Sequence, residues 1–257
     1  MAQSVIPDIT VLPDLEAISH EAARWVVVGA REAALFTGRC TIALSGGSTP
    51  GRLYELLASE EYRDVVPWDV IEWYWGDERC VPPDHEASNY RMAWDLMLGK
   101  APVPVSNIFR MPGEARDHAR AARRYENLVR DRLPDLAFDL VLLGIGTDGH
   151  TASLFPRSAA LSERERLVLH TRAPGGSESP NRLSVTLPLL AHARNILVLA
   201  AGEAKRPIVA AVRDDPDAAA TLYPIARVRT SGHLTWLVDA QASEQQEAKS
   251  EKRDVRR

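Results

Sequence analysis

Cysteine is scarce: Cys40 and Cys80 are the two in 257 residues. Two thiols without metal-ligand spacing make neither a disulfide framework nor a metal cluster, and they fit a reducing compartment. Long apolar runs are missing, so nothing approaches the roughly 20 residues that cross a bilayer. Residues 1–8 hold no basic stretch followed by an apolar one, and no signal peptide is expected. Positive charge is not in excess. Lys and Arg number 31 against 35 Asp and Glu, for a net charge of −4. Nucleic acid or an acidic membrane would find no electrostatic footing on such a chain. No segment repeats. These absences point to a cytoplasmic protein with neither nucleic acid nor membrane as partner.

The composition that remains, 45% hydrophobic and 26% charged, is ordinary for a soluble enzyme. Short apolar runs alternate with amphipathic stretches. Residues 5–11, 39–44, 70–75, 140–143, 167–170, 181–186, 195–200 and 233–239 read as strands. Between them, Asp14 caps a helix carrying Leu15, Ile18, Ala22, Trp25 and Val26 at three- and four-residue spacing. Residues 53–57 and 115–133 read as further helices, and Ser88-Asn89 caps one through Met92, Leu96 and Met97. This alternation predicts an α/β fold, a mainly parallel sheet with helices on both faces in a Rossmann-like three-layer arrangement. Residues 241–257 are charged and rich in Gln, Ser and Ala, with no periodic apolar face, and are expected to be a disordered tail.

The chemistry-bearing residues cluster where strands run out. The apolar run Leu140-Val141-Leu142-Leu143 empties into Gly144-Ile145-Gly146-Thr147-Asp148-Gly149-His150. In open α/β sheets ligands sit at the carboxyl ends of the strands. Histidine is the side chain most easily poised as a base near neutral pH, and a carboxylate two residues away can orient it. The spacing also matches a dinucleotide-binding fingerprint. That motif needs an acid closing the next strand about twenty residues on, and the run at 167–169 closes in His170-Thr171 instead. After the strand at 39–44 comes Ser45-Gly46-Gly47-Ser48-Thr49-Pro50 and then a helix. Backbone amides and a helix N-terminus there make an anion site, or else an ordinary capped turn. With no Gly-Lys-Ser/Thr in it, the loop is not a nucleoside-triphosphate P-loop. The strand at 70–75 ends in Gly76-Asp77-Glu78-Arg79, either a solvated strand end or part of the same site. Lys205 stands in the first turn of a helix opening at Gly202, most simply a solvated lysine; since a cation there opposes the helix dipole, it is a better candidate for an anion ligand than a random lysine. Arg182 is most simply an exposed charge and His118 a solvated surface residue. Asp84-His85-Glu86 are adjacent on a loop and do not converge on one metal ion. The loop 173–180 is a candidate lid.

Taken together, Gly-x-Gly-x-Asp-Gly-His-x-Ala-Ser-Leu-Phe-Pro, Ser-Gly-Gly-Ser-Thr-Pro and Gly-Asp-Glu-Arg followed by Ser88-Asn89 resemble the 6-phosphogluconolactonases. These belong to a larger group with the glucosamine-6-phosphate deaminases. The resemblance runs to about Val238 and implies a single domain over 1–240. It implies hydrolysis of a phosphorylated sugar lactone without metal or other cofactor. His150 would act on water, Asp148 would orient it, and Arg79 and Asp77 would serve the reacting centre. Gly46, Gly47, Ser48, Thr49, Arg182 and Lys205 would hold the phosphate. Two alternatives stand beside it. In the deaminases a Glu lies five residues after the His, where this chain has Phe155. A sugar-phosphate sensor would carry a DNA-binding helix-turn-helix, and none precedes Leu44. A monomer is expected.

Overall fold

A computed structural model describes residues 7–133 and 135–243. In chain order the elements are β1 (Asp8–Leu12), α1 (Leu15–Thr37), β2 (Cys40–Leu44), α2 (Ser48–Leu57), β3 (Ile71–Trp75), β4 (Asp77–Arg79) and α3 (Asn89–Ala93). They continue with α4 (His118–Arg132), β5 (Leu140–Gly144), β6 (Val168–Arg172), β7 (Asn181–Val185) and α5 (Leu187–Leu190). The chain closes with β8 (Asn195–Ala200), α6 (Arg206–Asp214), α7 (Pro216–Leu222), β9 (His233–Asp239) and α8 (Ala240–Ser243).

Six strands form one sheet in the order β1-β9-β8-β5-β2-β3. Every pairing in it is parallel. β2 and β3 are buried along their whole length. That is the state expected of strands covered by helices on both faces, and it explains why they are apolar apart from Thr41 and Glu72. The predicted parallel α/β architecture is therefore the one observed. The chain steps outward from β2 to β3, then returns to place β5 on the other side of β2 and continues through β8 to β9. The crevice at the carboxyl ends of β2, β5 and β8 is thus a topological switch point, where such sheets bind ligands.

Periodicity did not reveal a second, antiparallel sheet, β4-β7-β6. The strands predicted at 167–170 and 181–186 belong to it, and Asp77-Glu78-Arg79, read as the end of a strand, is a strand itself. Asp77 pairs with Ser184, Glu78 with Leu183 and Arg79 with Arg182. Three charged residues in a row carry no strand signal. Pairing with a distant segment creates the strand and buries Asp77 and Glu78 in it.

Other boundaries shift by a few residues. The first strand begins at Asp8, and residues 5 and 6 of the expected one lie outside the described residues. The helix after Ser88 changes to a π-helical turn over Trp94–Leu98. The expected tail starts later than residue 241, because residues 241–243 complete α8; the rest of it lies outside the described residues. His118 is half-buried rather than solvated, its ring 5.1 Å from that of His170.

Candidate active site

Four loops leaving the carboxyl ends of β2, β3, β5 and β8 enclose a cleft of about 290 Å³. A roomier cleft of about 390 Å³ opens at the opposite end of the strands, against α1. The smaller one gathers the convergent polar groups, and those mark a site more surely than volume does.

The first wall is the loop after β2. The Tyr54 hydroxyl, on α2, anchors its start by accepting from the Ser45 amide (3.0 Å) and donating to the Ser45 carbonyl (2.7 Å). Gly46 must be glycine, since a Cβ there would stand 2.1 Å from Asn89 Oδ1. α2 then starts at Ser48 with no side-chain cap. Nor does α6 have one, although Lys205 stands at its N-cap position. The other helices are capped. Asp14, Ser88, Asp117, Thr186 and Asp215 each accept a first-turn amide, and Asp239 accepts the amide of Ala242. α3, capped by Ser88, also brings its first residue, Asn89, to the cleft, and α6 continues from a 3-10 turn over Glu203–Lys205, with the Arg206 amide donating to the Glu203 carbonyl. Among the described residues the first-turn amides left for a ligand at the cleft are those of α2, beside Lys205.

β4 supplies the second wall. Asp77 is buried, with Oδ2 accepting from Ser153 Oγ (2.6 Å) and Oδ1 from Asn89 Nδ2 (3.2 Å). Glu78 turns away from the cleft and accepts the amides of Arg79, Asn89 and Tyr90 and the Ser88 hydroxyl. It thereby fastens the N-terminus of α3 to β4. Burial pushes its carboxyl up to about 7, against the pull of those amides. Arg79 lines the cleft and donates from Nη1 to the Ala87 carbonyl (2.6 Å). Its cross-strand neighbour Arg182 is buried but is not among the residues lining the cleft. Arg182 donates to Ser177 Oγ (3.2 Å) in the 173–180 loop and to the Asn181 carbonyl (3.1 Å). Burial, and then the Arg79 charge, lower its pKa. Among the described residues no carboxylate comes within ion-pair distance of either guanidinium, an arrangement that favours an incoming anion.

The third wall is the loop after β5. His150 Nδ1 lies 2.6 Å from Asp148 Oδ1, which also accepts the His150 amide at 3.1 Å. The pair folds over Gly146, where a Cβ would stand 2.0 Å from His150 Nδ1. Burial disfavours the Asp148 carboxylate, but the His150 amide and ring outweigh it and hold its pKa below the usual carboxylate range. An ionised carboxylate only accepts, so Nδ1 carries the ring proton and Nε2 keeps a free lone pair. The Phe155 ring packs 4.8 Å from the imidazole. Lys205, from the loop after β8, completes the enclosure. Burial lowers its pKa while the Asp148 charge works the other way.

The structure thus brings Gly46, Gly47, Ser48, Thr49, Asp77, Arg79, His150 and Lys205 to one cleft, with Asp148 directly behind His150. Arg182 stands aside from it. Sequence reasoning missed Ser153 as the partner of Asp77 and took Asn89 for a helix cap alone. The spacing Ser88-Asn89 carried a capping signal, and nothing local indicated that the Asn89 amide turns to Asp77.

The family model for glucosamine-6-phosphate isomerases/6-phosphogluconolactonase matches residues 13–236. A 6-phosphogluconolactonase of Synechocystis is 39% identical over 245 residues, covering 93% of this chain and 98% of the relative. One from Nostoc is also 39% identical, over 91% of this chain and 96% of its own length. Among solved structures, the 6-phosphogluconolactonase from Trypanosoma cruzi superposes with a TM-score of 0.80 at 30% identity, covering 96% of this chain and 99% of that one. With the cleft at the switch point and matches spanning nearly all of the described residues, the chain belongs to the glucosamine-6-phosphate isomerase/6-phosphogluconolactonase family.

Proposed function

We propose that the protein hydrolyses 6-phospho-D-glucono-1,5-lactone to 6-phosphogluconate, the lactone-opening step of the oxidative pentose phosphate pathway. The observation that carries this reading is the His150–Asp148 pair beside the uncapped N-terminus of α2 and the Lys205 ammonium. One end of the cleft suits a phosphate and the other holds a base. The Gly46, Gly47, Ser48 and Thr49 segment and Lys205 hold the 6-phosphate. Arg182 joins them if the 173–180 loop moves and Ser177 releases it.

His150 Nε2 takes a proton from water as the oxygen attacks the C1 carbonyl. Arg79 and nearby backbone amides stabilise the oxyanion. The tetrahedral intermediate collapses by breaking the bond from C1 to the ring oxygen, which receives the proton from the imidazolium. The product is the open-chain acid, which releases its carboxyl proton to solvent to become 6-phosphogluconate. A lactone is an activated ester, so no covalent intermediate is needed. Phe155 against His150 supports lactone opening over deamination, because it fills the position at which the deaminases carry their Glu. The cleft is complete within one chain, which supports a monomer, and the two free cysteines support a cytoplasmic setting.

The test is lactone hydrolysis by purified protein, coupled to 6-phosphogluconate dehydrogenase, with glucosamine-6-phosphate and an ammonia readout in parallel. Turnover well above the spontaneous rate without ammonia is expected. A His150→Ala enzyme loses most turnover and still binds 6-phosphogluconate. Unchanged turnover in that variant would sink the assignment.

A further inference from the structure

Asn89 is 3% exposed, yet its side chain has one atom without a partner. Nδ2 donates to the Asp77 carbonyl at 2.9 Å and to Asp77 Oδ1 at 3.2 Å. The reverse orientation of the amide would set its oxygen against two acceptors, so the network fixes Nδ2 toward Asp77. Oδ1 is left resting against Gly46, and among the described residues nothing donates to it. Nor is it one of the fully enclosed orphan atoms of the protein. It opens onto the cleft that Asn89 lines. Asp77, beside it, is an acceptor already held on both oxygens by Ser153 and Asn89. Two fixed acceptors therefore stand together on the wall between the loop after β2 and the His150 loop. No donor is paired with Asn89 Oδ1.

We infer that Asn89 is a specificity-determining residue whose Oδ1 accepts a hydrogen bond from a ring hydroxyl of the substrate. This deepens the proposed lactone hydrolysis and rests on it. A site built around an unmatched buried acceptor rejects ligands that lack the matching donor, because the acceptor is then desolvated and unpaired. The ligand class is a polyhydroxylated phospholactone, with deoxy analogues discriminated against. Asp77 is the positioning partner that holds the amide in this orientation, and Ser153 holds Asp77.

The experiment compares kcat/KM of wild type and Asn89→Ala on 6-phosphogluconolactone and on its 2-, 3- and 4-deoxy counterparts. Wild type is expected to lose about ten- to hundredfold on one of the three. In Asn89→Ala that particular penalty shrinks to a few fold, while the parent lactone falls to near the level of that deoxy analogue. A merely structural role would lower all four substrates by the same factor and leave the wild-type ratio standing, and that result would overturn the inference. So would a wild-type enzyme indifferent to every missing hydroxyl. Asn89→Ser, a milder truncation whose hydroxyl is too short to reach, supplies the same ratio should Asn89→Ala fail to fold. Absence of wild-type turnover on the parent lactone would instead count against lactone hydrolysis itself, so the two failures are told apart.

Discussion

Replacing Asp148 with Asn tests the core of the proposed chemistry with the least change in shape. The carboxylate lies 2.6 Å from His150 Nδ1, and the two side chains are 40% and 34% exposed. In the attacking state the ring gains a proton and becomes a cation beside that anion. Two unit charges about 3 Å apart attract by roughly 1.4 kcal/mol in water and about 5 kcal/mol at an effective dielectric near 20. A half-exposed pair sits between these limits, so ~2–3 kcal/mol of transition-state stabilisation is lost with the charge. That corresponds to a fall of roughly 30- to 150-fold in kcat. KM should change little, because Asp148 stands behind the imidazole rather than among the residues lining the cleft. The assay is the coupled lactone reaction, followed from acid to neutral pH with the spontaneous rate subtracted. A variant with wild-type kcat, or one that fails only through KM, would refute the pairing as the source of catalysis.

Two further outcomes follow from the charges around the cleft. Burial lowers the pKa of Lys205, so its positive charge is lost on the alkaline side sooner than for an ordinary lysine. KM for the phospholactone should rise with pH there. Lys205→Met should raise KM at neutral pH, remove that rise and spare most of kcat; an unchanged KM would remove Lys205 from the phosphate site. Glu78 is raised to about 7 in the folded protein, against roughly 4.3 for a free side chain. The folded state therefore binds the extra proton between these values, and this group's contribution to stability is fully present below about pH 4 and declines toward pH 7, by at most ~3–4 kcal/mol. Melting temperatures of wild type and Glu78→Gln across that range should show the decline flattened in the variant, and parallel curves would contradict it.

Much of the fold is legible in the chain because its parallel strands are covered on both faces. Burial of that kind writes itself as continuous apolar sequence, as in residues 140–143 and 196–200. The cradle is legible for a related reason. A strand running into Ser45-Gly46-Gly47-Ser48-Thr49 puts glycines and small hydroxyl side chains where a capping aspartate would otherwise satisfy the helix. The antiparallel sheet leaves no such trace. Asp77, Glu78 and Arg79 look solvated, and the burial of Asp77 and Glu78 depends on Ser153 and Ser184, far along the chain, and on the α3 amides. Arg182 shows the limit from the other side. The sequence alone read it as an exposed charge and the family resemblance as a phosphate ligand, yet it is buried and its orientation is set by Ser177 and by pairing opposite Arg79.

The polar contacts also explain why charged residues are tolerated at the edge of this core. Glu78 spends its acceptors on α3, which fixes the backbone from which Asn89 projects, and Asn89 in turn fixes Asp77. Each buried polar group thus positions the next. Among the described residues this network ends at the Asn89 oxygen, which, like His150 Nε2 and the first-turn amides of α2, has no protein partner. They all belong to residues at the cleft, where a substrate would complete them. A polar network satisfied everywhere except at the ligand is rigid before the ligand arrives. Preorganised groups need no rearrangement as charge develops, so under the proposed mechanism the scaffold behind His150 would contribute to rate as well as to stability.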